Sequence, residues 1–188
     1  MREVELKAVV PDLAQLRARL VAAGAVRAYV GKLTDWRYDT ADEALDAADH
    51  VLRLRLYEPQ GEESHAVLDR KGPTRYENGY KVRDEESTPV VDLASQVQRL
   101  RSDGYHVTQR IDREIEVFEF AGATLRIEQY PRLDVLLEVE GTEEAIERAI
   151  AGTGIPRASF TAGRLTDFVA AYEQRTGQPA AVSVDTRT

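Results

Sequence analysis

Residues 3–8 change character at every step, with Val4, Leu6 and Ala8 on one parity and Glu3, Glu5 and Lys7 on the other. Side chains two apart share a face of a β-strand. The alternation therefore predicts a strand with one apolar side and one side carrying two carboxylates and an ammonium. The pattern returns downstream. Arg53 and Arg55 alternate with Leu52, Leu54 and Leu56, and Asp69 and Lys71 follow Val67. Lys81, Arg83 and Glu85 succeed one another at the two-residue step. Arg126 and Glu128 alternate with Leu125 and Ile127, and Glu138 and Glu140 with Leu137 and Val139. Helical periods lie between these strands. Residues 13–23 follow a capping Asp12 and stop at Gly24, residues 92–102 precede Gly104, and Thr142 begins a helix that ends at Gly152. Over residues 162–175, Leu165, Phe168, Val169 and Tyr172 share a side, with Gly177 as the stop. Residues 39–49 read as a short helix or ordered loop, 58–64 as a hairpin connection and 72–79 as a longer loop.

A single strand of this kind turns its charges to water, and polar faces of surface sheets mix Thr, Ser, Gln and Lys. Here the polar faces are almost purely charged, carry both signs, and recur along the chain, which argues for a shared destination. Such strands can close into a barrel with a wet, charged lumen and apolar faces turned outward under the helices. The order of elements predicts an α+β fold: a mainly antiparallel closed β-barrel, or tunnel, with helices packed on the outside. Two stretches, each a helix ending in Gly followed by a charged strand, suggest a weak internal repeat. One domain is expected over residues 1–177, and residues 178–188 have no periodicity and read as a disordered tail.

Composition narrows the function. With 188 residues the chain is long enough for one real core. No apolar run approaches the ~18 residues of a membrane helix, and the N-terminal residues have no signal pattern, so no membrane association and a cytoplasmic location are expected. The absence of Cys excludes disulfides and thiolate metal sites. A net charge of −8 argues against nucleic acid as a partner, although a basic lumen inside an acidic shell escapes that test. A lumen lined by Arg and Lys attracts a polyanion, and a cluster of Glu at one end suits a hard divalent cation.

Glu3-Val-Glu5-Leu-Lys7 resembles the Glu-x-Glu-x-Lys signature of the CYTH superfamily, the triphosphate tunnel metalloenzymes. Further segments resemble the family in its own order: Tyr38-Asp39-Thr40, Leu52-Arg53-Leu54-Arg55, Lys71-Gly72-Pro73, Arg83-Asp84-Glu85 and Glu138-Val139-Glu140. The superfamily includes class IV adenylate cyclases, thiamine triphosphatases and inorganic triphosphatases. The resemblance implies Mg²⁺ or Mn²⁺ held by Glu3, Glu5, Glu138 and Glu140, with Glu128 as a further ligand or orienter. It implies phosphate contacts from Lys7, Arg53, Arg55, Lys71, Lys81, Arg83, Arg110 and Arg126, since Arg grips two phosphate oxygens with a planar fork and Lys adds a point charge. Lys71, Glu85 and Glu128 are the residues expected to take part in the chemistry.

The leading expectation is metal-dependent hydrolysis of an inorganic or organic triphosphate. The alternative is conversion of ATP to cyclic AMP and pyrophosphate, and a third reading is a module that binds polyphosphate or a nucleotide without turnover. Departures at Gln109-Arg110-Ile111-Asp112-Arg113 and at Leu133 to Leu137 weigh against the cyclase. His50, His65 and His106 lie outside the matching segments. Selectivity is expected from rim residues such as Trp36, Tyr57, Tyr76 or Tyr130. A monomer and a homodimer both remain open.

Overall fold

The alternating segments become strands because each has an apolar parity to bury and a charged parity that a wet interior can accept. The computed structural model describes residues 1–184. In chain order it contains β1 (Arg2–Val9), α1 (Leu13–Ala22), β2 (Val26–Asp39), α2 (Ala44–Ala47), β3 (Val51–Pro59), β4 (His65–Lys71) and β5 (Arg75–Glu77). There follow β6 (Tyr80–Val90), α3 (Leu93–Ser102), β7 (His106–Phe120), β8 (Ala123–Gln129), β9 (Leu136–Glu140), α4 (Glu143–Thr153) and α5 (Leu165–Thr176).

Every pairing between strands is antiparallel, in the order β1-β9-β8-β7-β2-β3-β4-β6, and β1 also pairs with β6, so eight strands close on themselves. Eight strands leave an interior only wide enough for side chains and one small ligand. β5 is an extra strand on β6, reached through a tight turn at Asn78 and Gly79 with φ of 52° and 84°. Residues 72–79, expected as a loop, thus contain a short hairpin strand, because Asn-Gly supplies the two positive φ values of such a turn.

Outside, two apolar clusters cover the barrel. Leu16 and Leu20 of α1 and Ile146, Ala149 and Ile150 of α4 pack on Val4, Leu6 and Ala8 of β1 and on Leu125, Ile127, Leu137 and Val139 of β8 and β9. Leu93, Val97 and Leu100 of α3 pack on Trp36, Tyr38, Leu52, Leu54 and Leu68. The side chains of Asp12, Asp92 and Thr142 cap these helices by accepting from backbone N–H groups in the first turn.

Two expectations need correction. α4 runs through Gly152 and stops at Gly154, whose φ of +74° provides the left-handed cap. Gly152 is instead a packing residue, since a Cβ there would lie 2.5 Å from the Phe120 ring. α5 also packs on the outside, but it has no buried residue and joins neither apolar cluster. Leu165, Val169 and Ala170 line the opening of the lumen, so its apolar side covers a mouth. Finally, residues 178–184 are placed against the barrel, while 185–188 lie outside the described residues. The Ala181 N–H and carbonyl bond to Arg132, the Val182 carbonyl accepts from the Asp112 N–H, and the Ser183 hydroxyl donates to the Asp112 carboxylate. The segment has no periodic signal because it attaches mainly through its backbone, along the part of β7 that β8 does not reach.

At Gly31 the backbones of β2 and β3 leave no room for a side chain: a Cβ there would meet the Glu58 carbonyl oxygen at 2.3 Å and the Pro59 Cα at 2.8 Å. Because the obstacle is backbone, Gly31→Ala is expected to destabilise the fold by about 2–3 kcal/mol, read as a lower urea midpoint.

Candidate functional site

The inward parity of the strands places a dense set of charges around a cavity of about 400 Å³. Each wall contributes through register. Glu3 and Glu5 of β1 stand beside Arg83 and Lys81 of β6, and on the other side Glu5 and Lys7 stand beside Glu140 and Glu138 of β9. Arg126 of β8 is opposite Glu138, and Arg53 of β3 is opposite Arg37 of β2 and Asp69 of β4.

Nearly every base has an acid. Lys71 Nζ lies 2.6 Å from both Glu3 oxygens and 3.0 Å from Glu85. Lys7 contacts Glu138 at 2.7 Å and Glu5 at 3.3 Å, and Lys81 contacts Glu5 at 2.8 Å. Arg53 donates to Asp69 at 2.9 Å and to Glu85 at 3.3 Å. Arg55 reaches Asp35 and Asp69, each at 3.3 Å, and Arg126 pairs with Glu138. Arg83 is fastened to the wall, donating to the carbonyls of Gly72 and Asp49 at 2.7 Å each.

The lumen therefore gathers Glu3, Glu5, Glu138, Glu140, Glu85 and Glu128, together with Lys7, Arg53, Arg55, Lys71, Lys81, Arg83 and Arg126. Arg110 is the exception. It stands opposite Trp36 on the outward parity, donates to Asp112 at 2.9 Å and sits over the Trp36 ring. Arg113 takes the inward place, holding Asp35 at 3.2 Å and Glu128 at 2.9 Å. Glu128 has both oxygens engaged, by Arg113 and by the Tyr130 hydroxyl at 2.9 Å. Its place in the lumen suits orienting Arg113 better than ligating a cation.

Asp35, Arg37 and Arg113 escaped the sequence reading. The available signal was the odd parity of Leu33, Asp35 and Arg37, which continues the alternation of charge seen elsewhere. Tyr38-Asp39-Thr40 turns out to shape the rim. Tyr38 is buried in the outer cluster, and the Asp39 carboxylate accepts from the backbone N–H groups of Thr40, Leu45 and Asp46, which fixes α2.

The electrostatics follow from this pairing. Burial would raise Glu5, but Lys7 and Lys81 hold it down to about 2. Burial and Arg53 depress Lys71 below its ordinary value despite Glu3 and Glu85. Glu3 is raised, chiefly by burial, with Glu5, Glu85 and Glu138 adding to the effect of burial. Glu140 is pushed up to about 7 by burial and by Glu138 and Glu3.

Among the described residues no three acidic or His side chains form a ready-made cation cage. The donor chemistry nonetheless fits one. Glu3, Glu5, Glu138 and Glu140 are oxygen donors on adjoining strands, and a divalent cation would offset the burial, and the repulsion added to it, that raise Glu3 and Glu140.

A pH experiment checks the Glu140 placement. Below 4.5 Glu140 is protonated both folded and unfolded and contributes nothing to the pH dependence. Between 4.5 and about 7 only the unfolded state gives up the proton, so stability falls as pH rises and the loss is complete above 7. Glu140→Gln is expected to stabilise the metal-free protein by about 2 kcal/mol at pH 8, after discounting for partial exposure, and to have little effect at pH 4.5. Melting temperatures at the two pH values measure this.

A family model described as the CYTH domain matches residues 1–159. The chain belongs to the CYTH domain family. Solved structures share the fold of this CYTH protein. A candidate adenylate cyclase from Vibrio parahaemolyticus is 21% identical with a TM-score of 0.74, covering 89% of this chain and 97% of that one. A protein from Pyrococcus horikoshii OT3 is 18% identical with a TM-score of 0.74, covering 90% and 98%. A candidate adenylyl cyclase from Hippeastrum, described as having a dominant triphosphatase activity, is 15% identical with a TM-score of 0.58, covering 98% and 92%. At these identities the likeness is one of fold. A comparison with curated proteins finds no match. No helix among the described residues is long and apolar enough to cross a membrane.

Proposed function

We propose that this CYTH protein is a divalent-metal-dependent triphosphatase that takes the phosphate chain of its substrate into the barrel lumen. The observation that carries this reading is the set of buried and half-buried bases, Lys7, Arg53, Arg55, Lys71, Lys81 and Arg126, lining one cavity of about 400 Å³ near Glu140, a carboxylate raised by burial and by its acidic neighbours. Triphosphate needs both halves, bases for its oxygens and a cation that neutralises part of its charge.

Glu3, Glu5, Glu138 and Glu140 would hold Mg²⁺ or Mn²⁺, which polarises phosphoryl oxygens when bound. Arg53 and Arg55 turn their forks to the phosphate chain and keep it extended. Lys71, whose ammonium is depressed by burial and by Arg53, supplies a proton to the leaving phosphate oxygen. Glu85 contacts both Arg53 and Lys71 and keeps the two bases in register. Glu128 holds Arg113 against Asp35.

The ring candidates favour hydrolysis over recognition of a base. Trp36 packs with the outer cluster, Tyr57 is stacked on His65, and Tyr130 is tied to Glu128. Tyr76 is exposed beyond the rim, 60% accessible. No slot for a nucleobase is formed by these side chains. Incubation with tripolyphosphate and with ATP, each with Mg²⁺ or Mn²⁺, tests the reading. Orthophosphate release is expected from tripolyphosphate, and cyclic AMP from ATP as the main product would overturn the hydrolase.

A further inference from the structure

One cation in the lumen has no acid. Arg37 lies on the inward parity of β2, between Arg53 of β3 and Gln109 of β7, and lines the cavity under α5. Among the described residues no carboxylate forms an ion pair with it, and its Nε is a buried donor with no hydrogen-bond partner. The nearby Asp35 is committed to Arg55 and Arg113. A β-bulge follows at Arg37/Tyr38, where β7 carries one extra residue, and bulges of this kind re-aim side chains beside sites.

Burial and the neighbouring Arg53 bring the guanidinium down to about 10, so the position disfavours positive charge as the lumen stands. A guanidinium whose buried Nε has no partner is costly to keep unless an anion completes it. Of the rim acids lining the same opening, Asp49 is bonded to Arg164 and to the Thr74 N–H, and among the described residues neither Asp46 nor Glu173 forms an ion pair with Arg37.

We propose that Arg37 is a phosphate-binding residue, taking the phosphoryl group nearest the α5-covered mouth through Nε and a terminal nitrogen. The proposal rests on the triphosphate reading above and extends it. It sets the outer limit of the bound chain, because Arg37 lies at the mouth and the acids of β1 and β9 lie on the other wall. The planar fork matches two phosphate oxygens, which a lysine cannot reproduce. Arg53, Arg55, Arg83 and Arg113 must release a carboxylate or a carbonyl to bind phosphate through Nε, and Arg126, whose Nε is also unpartnered, is held by Glu138 through a terminal nitrogen, whereas Arg37 has no acid to release.

Calorimetric titration with inorganic tripolyphosphate, on wild type, Arg37→Gln and Arg37→Lys at fixed ionic strength, tests the assignment alongside the melting temperature of each ligand-free protein. Arg37→Gln is expected to weaken binding by about tenfold or more, Arg37→Lys to fall between it and wild type, and the ligand-free melting temperature of Arg37→Gln to hold or rise. A merely structural role would lower that temperature. Unchanged affinity in Arg37→Gln, or a loss of affinity accompanied by a fallen melting temperature, overturns the role of Arg37 and leaves the triphosphate reading standing. A wild type that binds no tripolyphosphate, with or without Mn²⁺, overturns that reading and Arg37's role with it.

Discussion

Glu5→Gln is expected to lower turnover of tripolyphosphate by about 10²–10³-fold while leaving its binding intact or tighter. Glu5 sits among Glu3, Glu138 and Glu140, and it also restrains Lys7 and Lys81. The amide keeps the shape, removes a donor for the cation, and frees two ammonium groups for phosphate. Loss of the cation donor acts on the chemical step, and release of the lysines acts on ground-state binding, so the two effects part in opposite directions. Orthophosphate release at saturating Mn²⁺ and calorimetric binding without metal measure them separately. Near-wild-type turnover in this variant would remove Glu5 from the machinery.

Asp35→Asn is expected to cost about 3–5 kcal/mol of stability, among the largest effects of any single substitution in the lumen. The carboxylate is 2% exposed and meets Arg113 at 3.2 Å and Arg55 at 3.3 Å, with Arg53 at 3.9 Å. Burial would raise it, but these guanidinium groups hold it well below the usual carboxylate range. Neutralising it leaves buried positive charges facing one another across a narrow bore. The sign with pH is fixed by the same arrangement. A depressed carboxylate contributes stability above its unfolded value of 3.8, and that contribution is lost as pH falls through the folded value. Denaturant midpoints should therefore separate wild type from Asp35→Asn at pH 7 and bring them together in strong acid. Equal midpoints at pH 7 would mean that the arginines are compensated elsewhere.

The barrel was readable where one parity was charged and the other aliphatic. β1, β3, β8 and β9 meet that condition, so their inward residues followed directly from position. β2 and β7 do not. Their inward faces mix Leu33, Ile111 and Ile115 with Asp35, Arg37 and Arg113, while Thr34 and Asp112 on the other parity are also buried and polar. With both parities mixed, local character could not choose between Arg110 and Arg113, and register with Arg37 decides it. The α5 stripe was visible, but a stripe states only that cover is needed. Whether the cover is a sheet face or an opening depends on contacts remote in sequence. The same holds for Gly152 and Gly154, where a stop and a close approach to Phe120 look alike in one dimension.

The pairing of acids with bases has a thermodynamic corollary. On the proposed function, an incoming phosphate chain would have to exchange places with carboxylates at Arg53, Arg55 and Lys71, and the displaced carboxylates would be left seeking positive charge. On the same reading, a divalent ion at Glu3 and Glu5 would likewise loosen Lys71, Lys7 and Lys81 toward an anion. Uptake of the two would then be reciprocal, each raising the affinity for the other by the same factor. Metal and polyanion would form a heterotropic pair coupled through the protein as well as through direct contact with each other.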